Sequence, residues 1–307
     1  MDKKKAGAIA AAVLLIAGGT GAWFVFGKNR NDAGDVPAAE PATEAPTEEP
    51  TIPLYDYVPS ETGMTQKAKM MLKQNKDIVG WVKVPNTSVD YPFVRDPGYI
   101  PPGNAYYGGG EYVENEYYLS HALDGSIDRN GTLFMDWRDE FGGDEEEQSE
   151  NIIIYGHNMA DNSMFGSLRR YRQDPSFFEE APFVELSSNY RDYDYVICAF
   201  LITGGNWYSD FLYWNMEELD NEKEFNNYMD MARSKWMIDT GVDVKYGDKL
   251  LTLSTCYSDA DNSRFIIIAR RLRDGEKAGD MSTIQRTESY IKAHEPTEAP
   301  AENAEQQ

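Results

Sequence analysis

The chain has 307 residues, 41% hydrophobic and 13% aromatic, with 52 acidic against 29 basic side chains and a net charge of -23. That is enough for one large or two small globular domains with a substantial core. The summed negative field argues against nucleic acid or anionic lipid headgroups as ligands, since both would be repelled.

Residues 1–5, "MDKKK", form a basic start, and residues 6–26, "AGAIAAAVLLIAGGTGAWFVF", carry no charge. A run of this length matches one bilayer crossing, which takes about 20 apolar residues. Trp23, Phe24 and Phe26 suit an interfacial aromatic belt, and Lys3, Lys4 and Lys5 suit a cytoplasmic flank. The expectation is a retained single-pass anchor with the remainder of the chain outside the cell. Lys28 and Arg30 weaken the charge asymmetry, and a cleaved signal peptide is the competing reading. Residues 27–53 are rich in Pro, Ala, Thr and Glu, and have too little apolar surface to offset the entropy of ordering them. They read as a linker. Residues 54–273 read as the folded domain, and residues 274–307, which end in a similar composition, as a disordered acidic tail.

Within the domain, "TQKAKMMLKQN" spaces Ala68, Met71 and Leu72 as one face of a helix. "DIVGWVKVPNTSVDYPFVR" alternates about a turn at Pro85 and Asn86, as an antiparallel pair does. "GTLFMDW", "NIIIYGH", "FVELSS", "YDYVICAF", "DKLLTLSTC" and "RFIIIARRL" supply further strands. A second helix, "NEKEFNNYMDMARSKWM", gathers Phe225, Tyr228, Met229 and Ala232 on one face. Many short strands and few helices predict a mostly β fold, a closed or nearly closed β-barrel. Their order cannot be read from periodicity.

Two cysteines are present. Cys198 sits inside an apolar strand as a buried structural residue does, whereas Cys256 ends its strand beside a polar loop. An exported chain could oxidise the pair to a disulfide if geometry allowed. Of the histidines, His294 falls in the expected tail, leaving His121 in "YLSHALDG" and His157, where the strand "NIIIYG" breaks into a loop. The spacing lacks paired CxxC or HxxxH ligands, so no metal and no other cofactor is expected. Arg264 opens the strand after Cys256 across a short connection, which places the two near one another. Its guanidinium could steady an oxyanion, or it could pair with Asp259 or Asp261.

"TLSTC" followed by Arg264 at the head of the next strand resembles the signature of sortases, membrane-anchored cysteine transpeptidases of Gram-positive bacteria. "NKDIVGWVKVPNTSVDYPFVR", "GTLFMDWR", "IIIYGHNMADNSMFGSL" and the long helix before "GDKLLTLSTC" are similar to class B sortases. The resemblance implies a sortase β-barrel with an N-terminal helix and a long helix before the cysteine strand. It implies Cys256 as nucleophile, His157 as acid/base and Arg264 as the group that orients substrate and supports the oxyanion, with Ser254 and Thr255 at the substrate. The implied partners are surface proteins or pilins bearing a sorting signal, cleaved after Thr. The implied acceptor is an amine, such as the lipid II cross-bridge peptide or a pilin lysine. One departure stands out: residues 98–115, "GYIPPGNAYYGGGEYVEN", are longer and richer in Gly and Tyr than expected. They are either a solvated loop or a flank of the substrate groove. A cysteine hydrolase using the same thioester chemistry, or an inactive sortase-like scaffold, are the competing functions. Papain-like hydrolases place Cys before His, the reverse of the order here.

Overall fold

The computed structural model of the chain describes residues 62–96, 115–143, 148–215, 219, 221–257 and 262–295. The expected anchor and linker, residues 98–114 of the long loop, Asp259, Asp261 and residues 296–307 lie outside the described residues.

Thr65 starts helix α1 (Gln66–Met71), its hydroxyl accepting from the Ala68 amide at 3.1 Å and so satisfying one donor of the first turn. The helix is shorter than its amphipathic run, but Ala68 is buried and Met71 and Leu72 pack at the core margin. Strands β1 (Ile78–Lys83) and β2 (Asp90–Arg95) form the predicted antiparallel pair. Between them Asn86 takes φ 61, a left-handed conformation that asparagine tolerates. Next come β3 (Leu133–Met135), β4 (Asn151–Tyr155), the short α2 (Arg169–Gln173) and β5 (Phe183–Ser188). Strand β6 (Asp192–Gly204) is bulged between Ile197 and Ala199 and runs well past "YDYVICAF". Helix α3 (Glu222–Arg233) is capped by Asn221, which accepts from the Glu224 amide at 3.1 Å. Strands β7 (Leu250–Tyr257) and β8 (Ser263–Arg271) and helix α4 (Glu288–His294) complete the described chain.

The strands close into a barrel in the order β1-β2-β3-β4-β7-β8-β6-β5, with β5 pairing back onto β1. Closure removes the exposed edges that would otherwise template aggregation. Side chains alternate across each strand. Leu251 and Leu253 of β7, Phe265 and Ile267 of β8, and Ile152 and Ile154 of β4 join one apolar cluster to which all eight strands contribute. The intervening Leu250, Ile266, Ile268 and Ile153 belong to a second cluster on the outer face. Phe225, Tyr228, Met229 and Ala232 of α3 are buried there, as the spacing predicts. Each such side chain contributes about 1.5–3 kcal/mol, or less for Ala232.

Two neighbour relations position the site. Strand β4 runs parallel to β7, pairing Tyr155 with Ser254, so both C-terminal ends emerge at one rim. Strand β8 runs antiparallel to β7, so its start lies at that same rim, with Arg264 directly opposite Cys256.

The expected disordered tail requires a correction, because the ordered structure continues to Glu295. Residues after β8 return along the segment that precedes β7: the Gln285 carbonyl accepts from the Asp243 amide, and the Gly241 carbonyl accepts from the Thr287 amide, both at 2.9 Å. Ile284 is buried. Arg270 grips Glu276 with two bonds of 2.6 and 2.7 Å, and Arg273 reaches Asp248 and Asp243. His294 stacks on Tyr290 within α4. The composition suggested disorder because this clasp is held by charge pairing and backbone bonds around few apolar side chains, Ile284 and Met281.

Candidate active site

A narrow cleft at the β4/β7/β8 rim is lined by Leu119, Phe134, Tyr155, Gly156, His157, Ser254, Thr255, Cys256 and Arg264. All five site residues named from the sequence therefore meet in one place. His157 and Cys256 are half-buried, while Arg264 is buried at 4% exposure. By alternation Cys256 shares the outer face of its strand with Ser254, and Arg264 shares that of Ile266.

His157 is fixed by backbone on both sides. The Gly156 amide extends the β4–β7 ladder by donating to the Ser254 carbonyl at 3.1 Å, and the Phe165 amide donates to the His157 carbonyl at 2.9 Å. Position 156 must be glycine, since a Cβ there would lie 2.8 Å from the Phe165 ring and closer still to Leu133. The His157 Nε2 lies 2.7 Å from the Leu119 carbonyl oxygen. A carbonyl only accepts, so Nε2 carries the hydrogen and Nδ1 is the nitrogen left to exchange a proton.

Cys256 is held from the histidine side as well: Asn158 Nδ2 donates to the Cys256 carbonyl at 2.9 Å. Both cysteines are free thiols. Cys198 is fully enclosed on β6 and donates to the Ile268 carbonyl at 3.2 Å, and burial pushes its thiol up to about 12. It stays protonated at neutral pH, which leaves Cys256 as the accessible sulfur.

Arg264 donates from Nη1 to the Ser263 carbonyl at 3.1 Å, while its buried Nη2 has no partner among the described residues. Leaving such a donor unmet costs about 1–3 kcal/mol or more, and a substrate oxygen would relieve that cost. No described acidic residue pairs with this guanidinium; Asp259 and Asp261 lie outside the described residues. Gly205 backs it, since a Cβ there would lie 2.9 Å from the Arg264 Cζ.

Ser254 and Thr255 line the cleft, but both side chains are buried. The Ser254 hydroxyl shares a 2.7 Å bond with the Tyr213 hydroxyl. Burial pushes Tyr213 up to about 12. Burial and the nearby Asp136 carboxylate hold Tyr155 well above the usual phenol range, and its hydroxyl donates to Asp136 Oδ2 at 2.8 Å. Both phenols are therefore neutral at ordinary pH, and His157 is the one imidazole that lines the cleft. Asn158, Tyr213, Gly205 and the Leu119 carbonyl were not identified from the sequence. Asn158 had one signal, its position directly after His157.

A separate depression, bounded by residues 191–194 and 271–278, is lined mainly by charged residues and holds no cysteine, serine or histidine. Among the described residues no group of three or more His, Cys, Asp and Glu side chains is placed to hold a metal ion.

A barrel carrying Cys and Arg on neighbouring strands, with His at the adjoining strand end, gathers the residue types that covalent catalysis by a thiol uses. A comparison with protein-family models finds no match. Among curated proteins, the chain is 30% identical over 205 residues to sortase B of Staphylococcus aureus, covering 66% of this chain and 72% of that protein. It is 32% identical over 189 residues to sortase B of Listeria monocytogenes, covering 62% and 66%. Among solved structures, a Staphylococcus aureus sortase B–substrate complex superimposes with a TM-score of 0.56 at 26% identity, covering 69% of this chain and 87% of that one. The chain belongs to the sortase B family.

Proposed function

We propose that the chain is a cysteine transpeptidase that cleaves a C-terminal sorting signal after Thr and transfers the protein to an amine. The observation that carries this reading is the rim geometry: parallel β4 and β7 bring His157 beside Cys256, and antiparallel β8 sets Arg264 opposite it. In the first step the Cys256 sulfur attacks the Thr carbonyl carbon while His157 Nδ1 takes the thiol proton. Arg264 Nη2 receives the oxygen that becomes negative. As the carbon–nitrogen bond breaks, His157 returns the proton to the departing amine, leaving a thioester on Cys256. An incoming amine then attacks that carbonyl, gives its proton to His157, and restores the thiol.

The substrates would be surface proteins or pilins, and the acceptor a cross-bridge peptide amine or a pilin lysine. We place the domain outside the cell, tethered by residues 6–26; the charge-free run and the preceding lysines support this. Among the described residues no helix is long and apolar enough to cross a membrane.

The test incubates the full chain with a library of peptides carrying Thr at the cleavage position, plus triglycine as amine, and identifies products by mass spectrometry. Peptide ending in Thr joined to triglycine is the expected product. Only the free acid would establish a hydrolase, and no cleavage across the library would favour a scaffold.

A further inference from the structure

His121, the second histidine in the folded domain, takes no part in the cleft. It is fully buried, with its ring stacked on Tyr117 at 4.1 Å and 6°. Its Nδ1 lies 2.7 Å from the Tyr117 carbonyl, so Nδ1 carries the hydrogen. Its Nε2 has no partner among the described residues.

The turn that His121 braces is the 3-10 turn Tyr117–Leu119, whose first carbonyl also takes the Ser120 amide. Each of its carbonyls has a separate donor. Tyr117 receives the Ser120 amide at 3.3 Å and, more closely, His121 Nδ1 at 2.7 Å, Tyr118 receives the Thr132 amide at 2.9 Å, and Leu119 receives His157 Nε2. The Thr132 hydroxyl in turn donates to the His121 carbonyl at 2.9 Å, and Tyr118 is anchored through its hydroxyl to Asp77 at 2.7 Å. The carbonyl that orients the catalytic imidazole therefore sits on a turn pinned by the other imidazole.

We infer that His121 is a positioning residue for the acyl-transfer reaction: by locking the Tyr117–Leu119 turn, it aims the Leu119 carbonyl at His157 and holds His157 as the Nε2–H tautomer, with Nδ1 toward the chemistry. This rests on the reading of His157 as the acid/base. Without the His121 donor, the turn's first carbonyl loses its shorter bond and keeps the 3.3 Å bond from the Ser120 amide, so the turn is held less firmly. A displacement of about 1 Å at a reacting group can cost up to about 100-fold in rate.

Selective ¹⁵N labelling of the histidines in the full chain gives a direct readout, because the sequence holds only three. Long-range ¹⁵N–¹H spectra should show His157 protonated at Nε2 and His121 at Nδ1. In His121→Leu, which fills the space without a donor, the His157 pattern should become a mixture of tautomers. With the cleavable peptide and triglycine, kcat should fall on the order of 10-fold with KM little changed. His121→Asn places an amide donor near the former Nδ1 and should restore most of both signals. A folded His121→Leu chain with a pure Nε2–H His157 and unchanged kcat overturns the inference, as does equal loss in the Leu and Asn variants. Should the Leu variant not fold, the wild-type spectrum still decides: His121 protonated at Nε2, or His157 at Nδ1, overturns it. The underlying reading fails separately, through turnover by His157→Ala.

Discussion

Arg264 and Arg270 stand at opposite ends of β8, both buried, and they differ in what their donors do. Arg270 bonds through every guanidinium nitrogen: Nε on the Asp243 carbonyl at 2.6 Å, both terminal nitrogens on Glu276, and Nη1 also on the Arg271 carbonyl. Arg264 meets one carbonyl and leaves Nη2 with no partner among the described residues. The satisfied arginine holds the C-terminal clasp, and the unsatisfied one faces the cleft. A buried charge with a spare donor is costly to fold, and the rim that bears that cost is the rim where His157 and Cys256 converge. The two cysteines divide the same way, one enclosed and held protonated, the other at a strand end.

The sharpest break in this comparison is at the sulfurs. Cys256→Ala should abolish cleavage and any covalent intermediate while the melting temperature stays near that of the parent. Cys198→Ala should keep cleavage per folded molecule and lose stability from the small cavity it leaves. Turnover by Cys256→Ala would remove the nucleophile from the account.

Lysine substitutions at the two arginines should separate next. Arg264→Lys keeps charge but loses the planar fork, so kcat/KM should fall on the order of 100-fold in a folded protein. Arg270→Lys should cost about 3 kcal/mol or more in urea unfolding, with kcat/KM per folded molecule retained. If the kinetic loss followed Arg270 instead, the division of labour along β8 would be wrong.

Acid should weaken the satisfied end. Burial raises the Glu276 carboxyl, but the Arg270 bonds and the Gln285 and Arg273 amides outweigh it and bring it from 4.5 down to about 2. A depressed carboxyl stabilises the fold above its unfolded value and loses that contribution as pH falls through the folded one. The affected window is therefore from about 4.5 down to about 2, with a full contribution on the order of 3 kcal/mol. Melting curves across that window should steepen in the parent and flatten in Glu276→Gln; identical profiles would refute the assignment.

A smaller effect is expected where Gly205 backs Arg264. An added methyl would lie 3.1 Å from Nη1, so Gly205→Ala should shift the guanidinium and lower kcat/KM by roughly 10-fold. An unchanged rate would mean that the guanidinium does not need its present position.

Much of this was legible in the residues themselves. The alternation in "DIVGWVKVPNTSVDYPFVR" marks β1 and β2, the spacing of Phe225, Tyr228, Met229 and Ala232 marks α3, and Cys256 announces itself by ending an apolar strand. The parallel pairing of β4 with β7 was not legible, because periodicity reports faces rather than neighbours; yet that pairing is what brings His157 to Cys256. Nor could the Leu119 carbonyl be found, since every residue has one and only the turn aims it. Arg270 reads as an ordinary strand-end charge until Glu276 folds back on it, which also explains why residues 274–295 read as tail.

The most direct test of the central claim is the covalent intermediate. Full-length protein mixed with a cleavable peptide and no amine, quenched in acid and weighed intact, should gain the mass of the peptide through its Thr. Proteolysis should map that mass to Cys256 as a thioester, and triglycine added before the quench should discharge it. Cleavage without any adduct on Cys256, or an adduct mapped to another residue, would contradict the account.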